Sequence, residues 1–174
     1  MRIPDYPPTR GAYVRMTGAL RDVVDRLPGR AKLLKAPTIF CAALYVLSLL
    51  VLLLLGDPRV VRAVFVPAAC FLMATALRPL IGRQRPYDRF DAPPVGPCQR
   101  GKGRSMPSRH AASAAAIACA VVYAFPSVPM GVLMALMSLL IAALRVLSGQ
   151  HYLSDVLAAL ALSVSLSLIG YVLL

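Results

Sequence analysis

Hydrophobic and polar positions alternate along this chain on the scale of whole helices, with long apolar runs separated by short basic ones. Four windows contain no Asp, Glu, Lys or Arg: Ala36–Gly56, Ala63–Leu77, Ala111–Leu144 and Val156–Leu174. A hydrocarbon layer about 30 Å thick takes about 20 helical residues to cross, so the first and last windows each predict one span. The second window is short, and Arg62 and Arg78 at its ends extend it by carrying their charged heads to the interfaces. The third is long enough for two spans and is interrupted at Phe125-Pro126-Ser127-Val128-Pro129, where two prolines break helical hydrogen bonding and permit a turn. The pattern predicts an all-α membrane bundle of five transmembrane helices over residues 36–174.

Residues 1–35 read as a separate basic segment. Within it, Ala12–Leu27 places Val14, Leu20, Val23, Val24 and Leu27 near helical spacing, with Arg and Asp elsewhere. That spacing predicts an amphipathic helix lying at the membrane interface; a solvated tail is the plainer alternative. No apolar run in the segment is long enough for a signal peptide.

Composition supports the membrane reading, since 59% hydrophobic residues and a mean hydropathy of +0.71 are too apolar for an ordinary soluble domain. Charge then orients the bundle. Five crossings place the amino-terminal segment, the loop from Arg78 to Arg109 and the turn from Arg145 to Asp155 on one side, which collects 17 of the 19 basic residues. Only Arg59 and Arg62 fall on the other, and an excess of positive charge favours the cytoplasm. The net charge of +12 is therefore accounted for by a surface that attracts anionic headgroups and phosphorylated substrates, without nucleic acid. Most arginines beside a span act as anchors, which is the reading here for Arg83, Arg89, Arg100, Lys102 and Arg104. Cys41, Cys70 and Cys119 fall inside predicted spans and Cys98 in the basic loop; no pair has metal-ligand spacing, and a disulfide framework is not expected.

Candidate chemistry is concentrated in three short stretches at the margins of the apolar segments: Arg78 to Pro86, Met106 to His110, and Arg145 to Asp155. They supply Arg78, Arg85, Arg109, Arg145, His110, His151 and Asp155, where unpaired charge is expensive. Guanidinium groups that hold an anion, with two histidines and a carboxylate, are the parts of phosphoryl-transfer chemistry without a metal cage. If the last helix begins near His151, Asp155 lies one turn further on the same face and fixes the imidazole tautomer. Asp155 also suits a plain helix cap. Pro107 suits the first turn of a helix whose amides around Ser108 and His110 would point at an anion. The only two histidines of the chain both lie in these stretches.

The same stretches resemble the signature of the type 2 phosphatidic acid phosphatase superfamily, which includes membrane lipid phosphatases and soluble vanadium haloperoxidases. That signature reads K-x6-R-P, then P-S-G-H, then S-R-x5-H-x3-D. Arg78 stands in the Lys position with Arg85-Pro86 at the required spacing, Pro107-Ser108-Arg109-His110 fills the second motif, and Arg145, His151 and Asp155 fill the third. Three departures are Arg78 for Lys, Arg109 for Gly and Leu144 for Ser; the family's usual six spans would here be five, with the amphipathic segment replacing the first.

The resemblance implies that His151 is the nucleophile that becomes a phosphohistidine, that Asp155 orients it, and that His110 protonates the leaving oxygen. Arg78, Arg85, Ser108 and Arg145 would hold the phosphate, and Arg109 would contact either the substrate or the membrane surface. No metal or other cofactor is implied. The expected activity is hydrolysis of a phosphomonoester on a phospholipid or polyprenyl-linked lipid, such as phosphatidylglycerophosphate, phosphatidate or a phosphoribosyl decaprenol, in a bacterial plasma membrane with the site facing the cytoplasm. Alternatives are an undecaprenyl pyrophosphate phosphatase, whose bacterial forms often place the site outside the cytoplasm, and a non-catalytic membrane protein that binds lipid headgroups. The partners expected are the membrane and a lipid phosphate, with no nucleic acid; a homodimer is compatible with helices that bury limited area.

Overall fold

The computed structural model describes residues 7–26, 30–96 and 104–173, and the side chains of these residues except 30–33 and 173. Among them every regular element is helical: α1 (Arg10–Asp25), α2 (Arg30–Leu54), α3 (Arg59–Ile81), α4 (Pro86–Arg89), α5 (Arg109–Ala124), α6 (Val128–Leu147) and α7 (Leu153–Leu168), with a π-helical turn at Ile169–Leu173 extending α7. Leu27, Cys98, Arg100 and Lys102, whose placement is anticipated above, lie outside the described residues.

Among the described residues, four stretches are long and apolar enough to cross a membrane: Leu34–Leu54, Arg59–Arg89, Val128–Leu147 and Leu153–Val172. The remaining predicted span, α5, is a shorter apolar helix of 16 residues, about 24 Å at 1.5 Å per residue. Its position explains how it can be short. It packs against α2, α3, α6 and α7, so protein rather than lipid surrounds it.

The side chains follow from that arrangement. Eight alanines and Val121 make up the buried face of α5, and these small residues let the neighbouring helices approach closely where lipid offers no hydrophobic driving force. Large side chains face outward instead: Ile39, Val46 and Leu53 of α2 and Phe65 and Leu72 of α3 are all at least 61% exposed. Small inside and large outside is the distribution expected of an integral membrane bundle, and the reverse of a soluble core.

The expected amphipathic helix is present as α1, but of its anticipated apolar positions only Val24 is fully buried among the described residues. Tyr13, Thr17 and Val24 are its buried residues, with Met16 packed beside Tyr13, whereas Val14 and Val23 are 49% and 58% exposed. The difference has a specific cause. The Tyr13 hydroxyl donates to the Gly149 carbonyl at 3.3 Å and its ring packs on Phe90 at 5.4 Å, so the helix is rotated to dock on the α6–α7 turn. Its outward Val14 and Val23 are left to face the interface.

Two reversals bring the motif residues to one end of the bundle. At the end of α3, Gly82 adopts a left-handed φ of 61° and its amide caps the Arg78 carbonyl at 3.0 Å, an ordinary glycine helix stop. Between α6 and α7, Gly149 has φ 74°, and the Arg145 carbonyl accepts from the amides of both Gln150 and His151 at 3.2 Å. The chain thereby folds back so that His151 returns beside the last turn of α6. Pro107 is not in the first turn of a helix as expected; it precedes Ser108, the residue capping α5, and its peptide bond with Met106 is cis.

Candidate active site

Six segments meet at this end. Arg78 comes from the last turn of α3, Arg85 from the residue before α4, Ser108, Arg109 and His110 from the start of α5, Arg145 from the last turn of α6, His151 from the following turn, and Asp155 from the first turn of α7. The charges of Arg78 and Arg145 are felt by His110, those of Arg78 and Arg85 by His151, and that of Arg85 by Arg145. All eight residues singled out by the sequence therefore belong to one region, and Arg78, Ser108, His151 and Asp155 are each at most 4% exposed.

Asp155 is completely buried, and its two oxygens are fully used. Oδ2 lies 3.5 Å from His151 Nδ1, accepts the Tyr152 amide at 3.0 Å, and accepts the Ser105 hydroxyl. Oδ1 accepts from Arg83 at 2.6 Å, while the same guanidinium nitrogen donates to Ser154 Oγ at 2.7 Å and the group lies 4.2 Å over the Tyr152 ring. Capping of α7 and orientation of His151 are thus served by one carboxylate. Ser105 Oγ also lies 3.4 Å from His151 Nδ1. Because the hydroxyl hydrogen is spent on Asp155, only acceptor lone pairs face Nδ1. That environment selects the tautomer with the proton on Nδ1 and leaves the lone pair on Nε2.

Burial pushes the His151 imidazole below its ordinary 6.5, with Arg85 and Arg78 acting in the same direction and Asp155 opposing them. The neutral form, which carries the nucleophilic lone pair, is therefore retained to lower pH than in a free histidine.

Around this pair the donors outnumber their acceptors. Arg78 donates to the Arg104 carbonyl and Arg145 to Gln150 Oε1 at 2.9 Å, but Nε of Arg78, Nε of Arg85 and Oγ of Ser108 are buried without a protein partner. Ser108 is in the capping position of α5 yet makes no capping hydrogen bond, so its hydroxyl and the free amides of the first turn remain available. Buried donors without acceptors mark a place shaped for an anion.

Two cavities lie beside this cluster and reach it at His110; Arg78, Ser108, His151 and Asp155 line neither. A wider one of about 660 Å³ combines Lys35, Arg85, Arg109, His110, Arg145 and Gln150 with the apolar Leu34, Ile39, Val95 and Leu144. An apolar slot of about 340 Å³ runs among Thr38, Cys41, Phe71, Ala114, Ile117 and Ile141, and shares Thr38, Arg109 and His110 with the first. A separate apolar cavity of about 700 Å³ among α5, α6 and α7, lined by Tyr123, Gly131 and Tyr171 among others, contains none of the motif residues.

Arg83 and Ser105 were not recognised as site residues from the sequence, and Arg83 is corrected here from membrane anchor to partner of Asp155. The signal was thin: Arg83 lies two residues before Arg85, just past the glycine that ends α3, and Ser105 two residues before Pro107. Ser105 is held in place by its own amide, which donates to the Arg83 carbonyl at 2.9 Å. Arg104 also proves more than an anchor, because its carbonyl receives Arg78. Among the described residues no group of His, Cys, Asp or Glu has the arrangement of a metal site.

The profile of the PAP2 superfamily matches residues 45–174. Among solved structures, the chain resembles the first transmembrane PAP2 type phosphatidylglycerolphosphate phosphatase from Bacillus subtilis, at 21% identity and a TM-score of 0.63 over 92% of this chain and 83% of that one. It also resembles LpxE of Aquifex aeolicus, at 19% identity and a TM-score of 0.65 over 98% of each chain. No curated protein sequence matches it.

Two outcomes are expected of this geometry. Ser105→Ala lowers kcat by about 10-fold through loss of one buried hydrogen bond to the Asp155–His151 pair, with KM little changed, while Ser105→Thr keeps most of the activity. In a pH series corrected for the substrate phosphate's own ionisation near pH 6, the acid limb of kcat/KM falls below the ordinary histidine value of 6.5. A limb above that value contradicts the neutral nucleophile.

Proposed function

The chain belongs to the PAP2 superfamily, and from that premise we propose that it is an integral membrane phosphatase that hydrolyses a phosphomonoester on a lipid through a phosphohistidine at His151. The observation that carries the proposal is the combination at one point of an imidazole whose Nδ1 faces Asp155 and Ser105 with three buried, unpartnered donors on Arg78, Arg85 and Ser108.

The chemistry follows from these positions. Nε2 of His151 attacks phosphorus, and the bond from phosphorus to the leaving alkoxide breaks as His110 delivers a proton to that oxygen. The guanidinium groups of Arg78, Arg85 and Arg145, with Ser108 Oγ and the first amides of α5, hold the three equatorial oxygens as charge redistributes. Asp155 stabilises the cationic imidazole while the phosphoryl group is attached. Water, deprotonated by His110, then attacks phosphorus and releases inorganic phosphate and neutral His151. This cycle balances without a metal ion.

The surroundings favour a lipid. The wider cavity, with its four cationic side chains, is at the end of the bundle, where a headgroup phosphate lies, and the apolar slot leads from it between α2, α3 and α5 toward the hydrocarbon region. A tail in the slot and a headgroup phosphate beside Arg85, His110 and Arg145 would occupy both at once. Placement on the cytoplasmic side rests on the sequence alone, which assigns 17 of the 19 basic residues to one side when five crossings are counted.

Purified protein in detergent with EDTA is expected to release phosphate from a lipid phosphomonoester, His151→Ala is expected to lose at least about 1,000-fold in kcat, and rapid quenching of the wild type is expected to trap acid-labile phosphate on His151. Retention of turnover by His151→Ala, or a label on another residue, would falsify the assignment.

A further inference from the structure

Arg145 and Gln150 are joined twice across the α6–α7 turn. The Gln150 amide donates to the Arg145 carbonyl at 3.2 Å, and the Arg145 guanidinium donates back to Gln150 Oε1 at 2.9 Å. Among the described residues, that oxygen is the one acceptor bonded to the Arg145 side chain. The Arg145 carbonyl also accepts the His151 amide at 3.2 Å, so the cation is tied to the residue beside the nucleophile. The turn itself is fixed by Gly149, with φ 74° and its carbonyl on the Tyr13 hydroxyl. Arg145 and Gln150 line the wider cavity together with Arg85 and His110.

Charge explains why an amide is suited to this place. Arg85 and Arg145 repel each other, and like charges so placed spread apart unless something holds them. The holding groups are neutral. Arg78 donates to the Arg104 carbonyl, Arg85 lies 5.6 Å over the Tyr87 ring, and Arg145 rests on Gln150. Arg83 is the contrast: it is paired with the Asp155 carboxylate and lines neither cavity. A carboxylate at residue 150 would hold Arg145 equally well but cancel the charge that a phosphate meets, whereas an amide oxygen orients the guanidinium and leaves its charge intact. An untethered arginine, in turn, would have to be ordered by the ligand, which lowers affinity.

Resting on the phosphatase reading above, we propose that Gln150 is a positioning residue for phosphate binding, whose amide oxygen preorganises Arg145 beside His151 while leaving the guanidinium charge to the phosphoryl oxygens. Gln150 stands outside the signature positions, and its role is exerted through Arg145.

The test measures orthovanadate affinity, and kcat and KM on a lipid phosphomonoester, in the wild type, Gln150→Met, Gln150→Glu, Arg145→Ala and the double variant Gln150→Met with Arg145→Ala. Thermal unfolding in detergent is the control for folding. Gln150→Met keeps the length of the side chain and loses the acceptor. It is expected to lower vanadate affinity and kcat/KM by about 10-fold, and to cost no further vanadate affinity once Arg145 is Ala. Gln150→Glu retains the hydrogen bond, yet is expected to bind vanadate more weakly than Gln150→Met, because it neutralises the cation and repels the anion. An equal loss from Gln150→Met with and without Arg145, no loss at all, or wild-type vanadate affinity in Gln150→Glu overturns the proposal. Failure of the wild type to release phosphate from any lipid phosphomonoester overturns the phosphatase reading instead, and the vanadate comparison still decides the role of Gln150.

Discussion

A carboxylate with no exposed surface, Asp155, is the constraint around which this site is built. An ionised group in such a place is tolerated only when every oxygen is satisfied and the charge is balanced. Its partners come from three separate parts of the chain: Arg83 after α3, Ser105 before α5, and His151 and Tyr152 before α7. The Asp155 carbonyl adds a fourth tie by accepting the Ser108 amide at 3.1 Å. Satisfying one carboxylate therefore fixes the ends of α3, α5 and α7 relative to one another, and with them Arg78, Ser108 and His110. Binding geometry and nucleophile orientation have a common origin.

The remainder of the bundle supplies what that arrangement needs. An alanine-rich α5 lets four helices come close without large side chains between them, and its amino terminus, carrying Ser108 and His110, opens at the converging ends. The glycine reversals at Gly82 and Gly149 turn the chain sharply enough to keep the arginines and histidines at one level. Docking of Tyr13 on the Gly149 carbonyl braces the second of these turns from outside. A Cβ at residue 149 would come within 2.5 Å of the Tyr13 hydroxyl, so the helix and the turn are fitted to each other.

Much of this was legible in the sequence, for identifiable reasons. Uncharged windows of helical length expose spans because lipid forbids unpaired charge, and the three motifs stand out because their arginines and histidines interrupt that rule. The burial of α5 was not legible, since an apolar run reads alike whether lipid or protein surrounds it. The rotation of α1 was hidden because Tyr13 and Thr17, which bury a polar edge against the α6–α7 turn, do not count as apolar positions, whereas Val14 and Val23 do. Arg83 and Ser105 were missed for a related reason. Each acts through Asp155, a contact made across the fold, and an arginine beside a span looks like an anchor until its partner is seen.

The central claim, that an anion is held with its phosphorus facing Nε2 of His151, is tested most directly by a crystal structure of the protein with orthovanadate, a mimic of the transferred phosphoryl group. The account predicts vanadium bonded to Nε2 of His151, with its equatorial oxygens on Arg78, Arg85, Arg145 and Ser108 and its apical oxygen toward His110. Vanadate bonded to Nδ1, or seated away from His151 with those donors still empty, would contradict it.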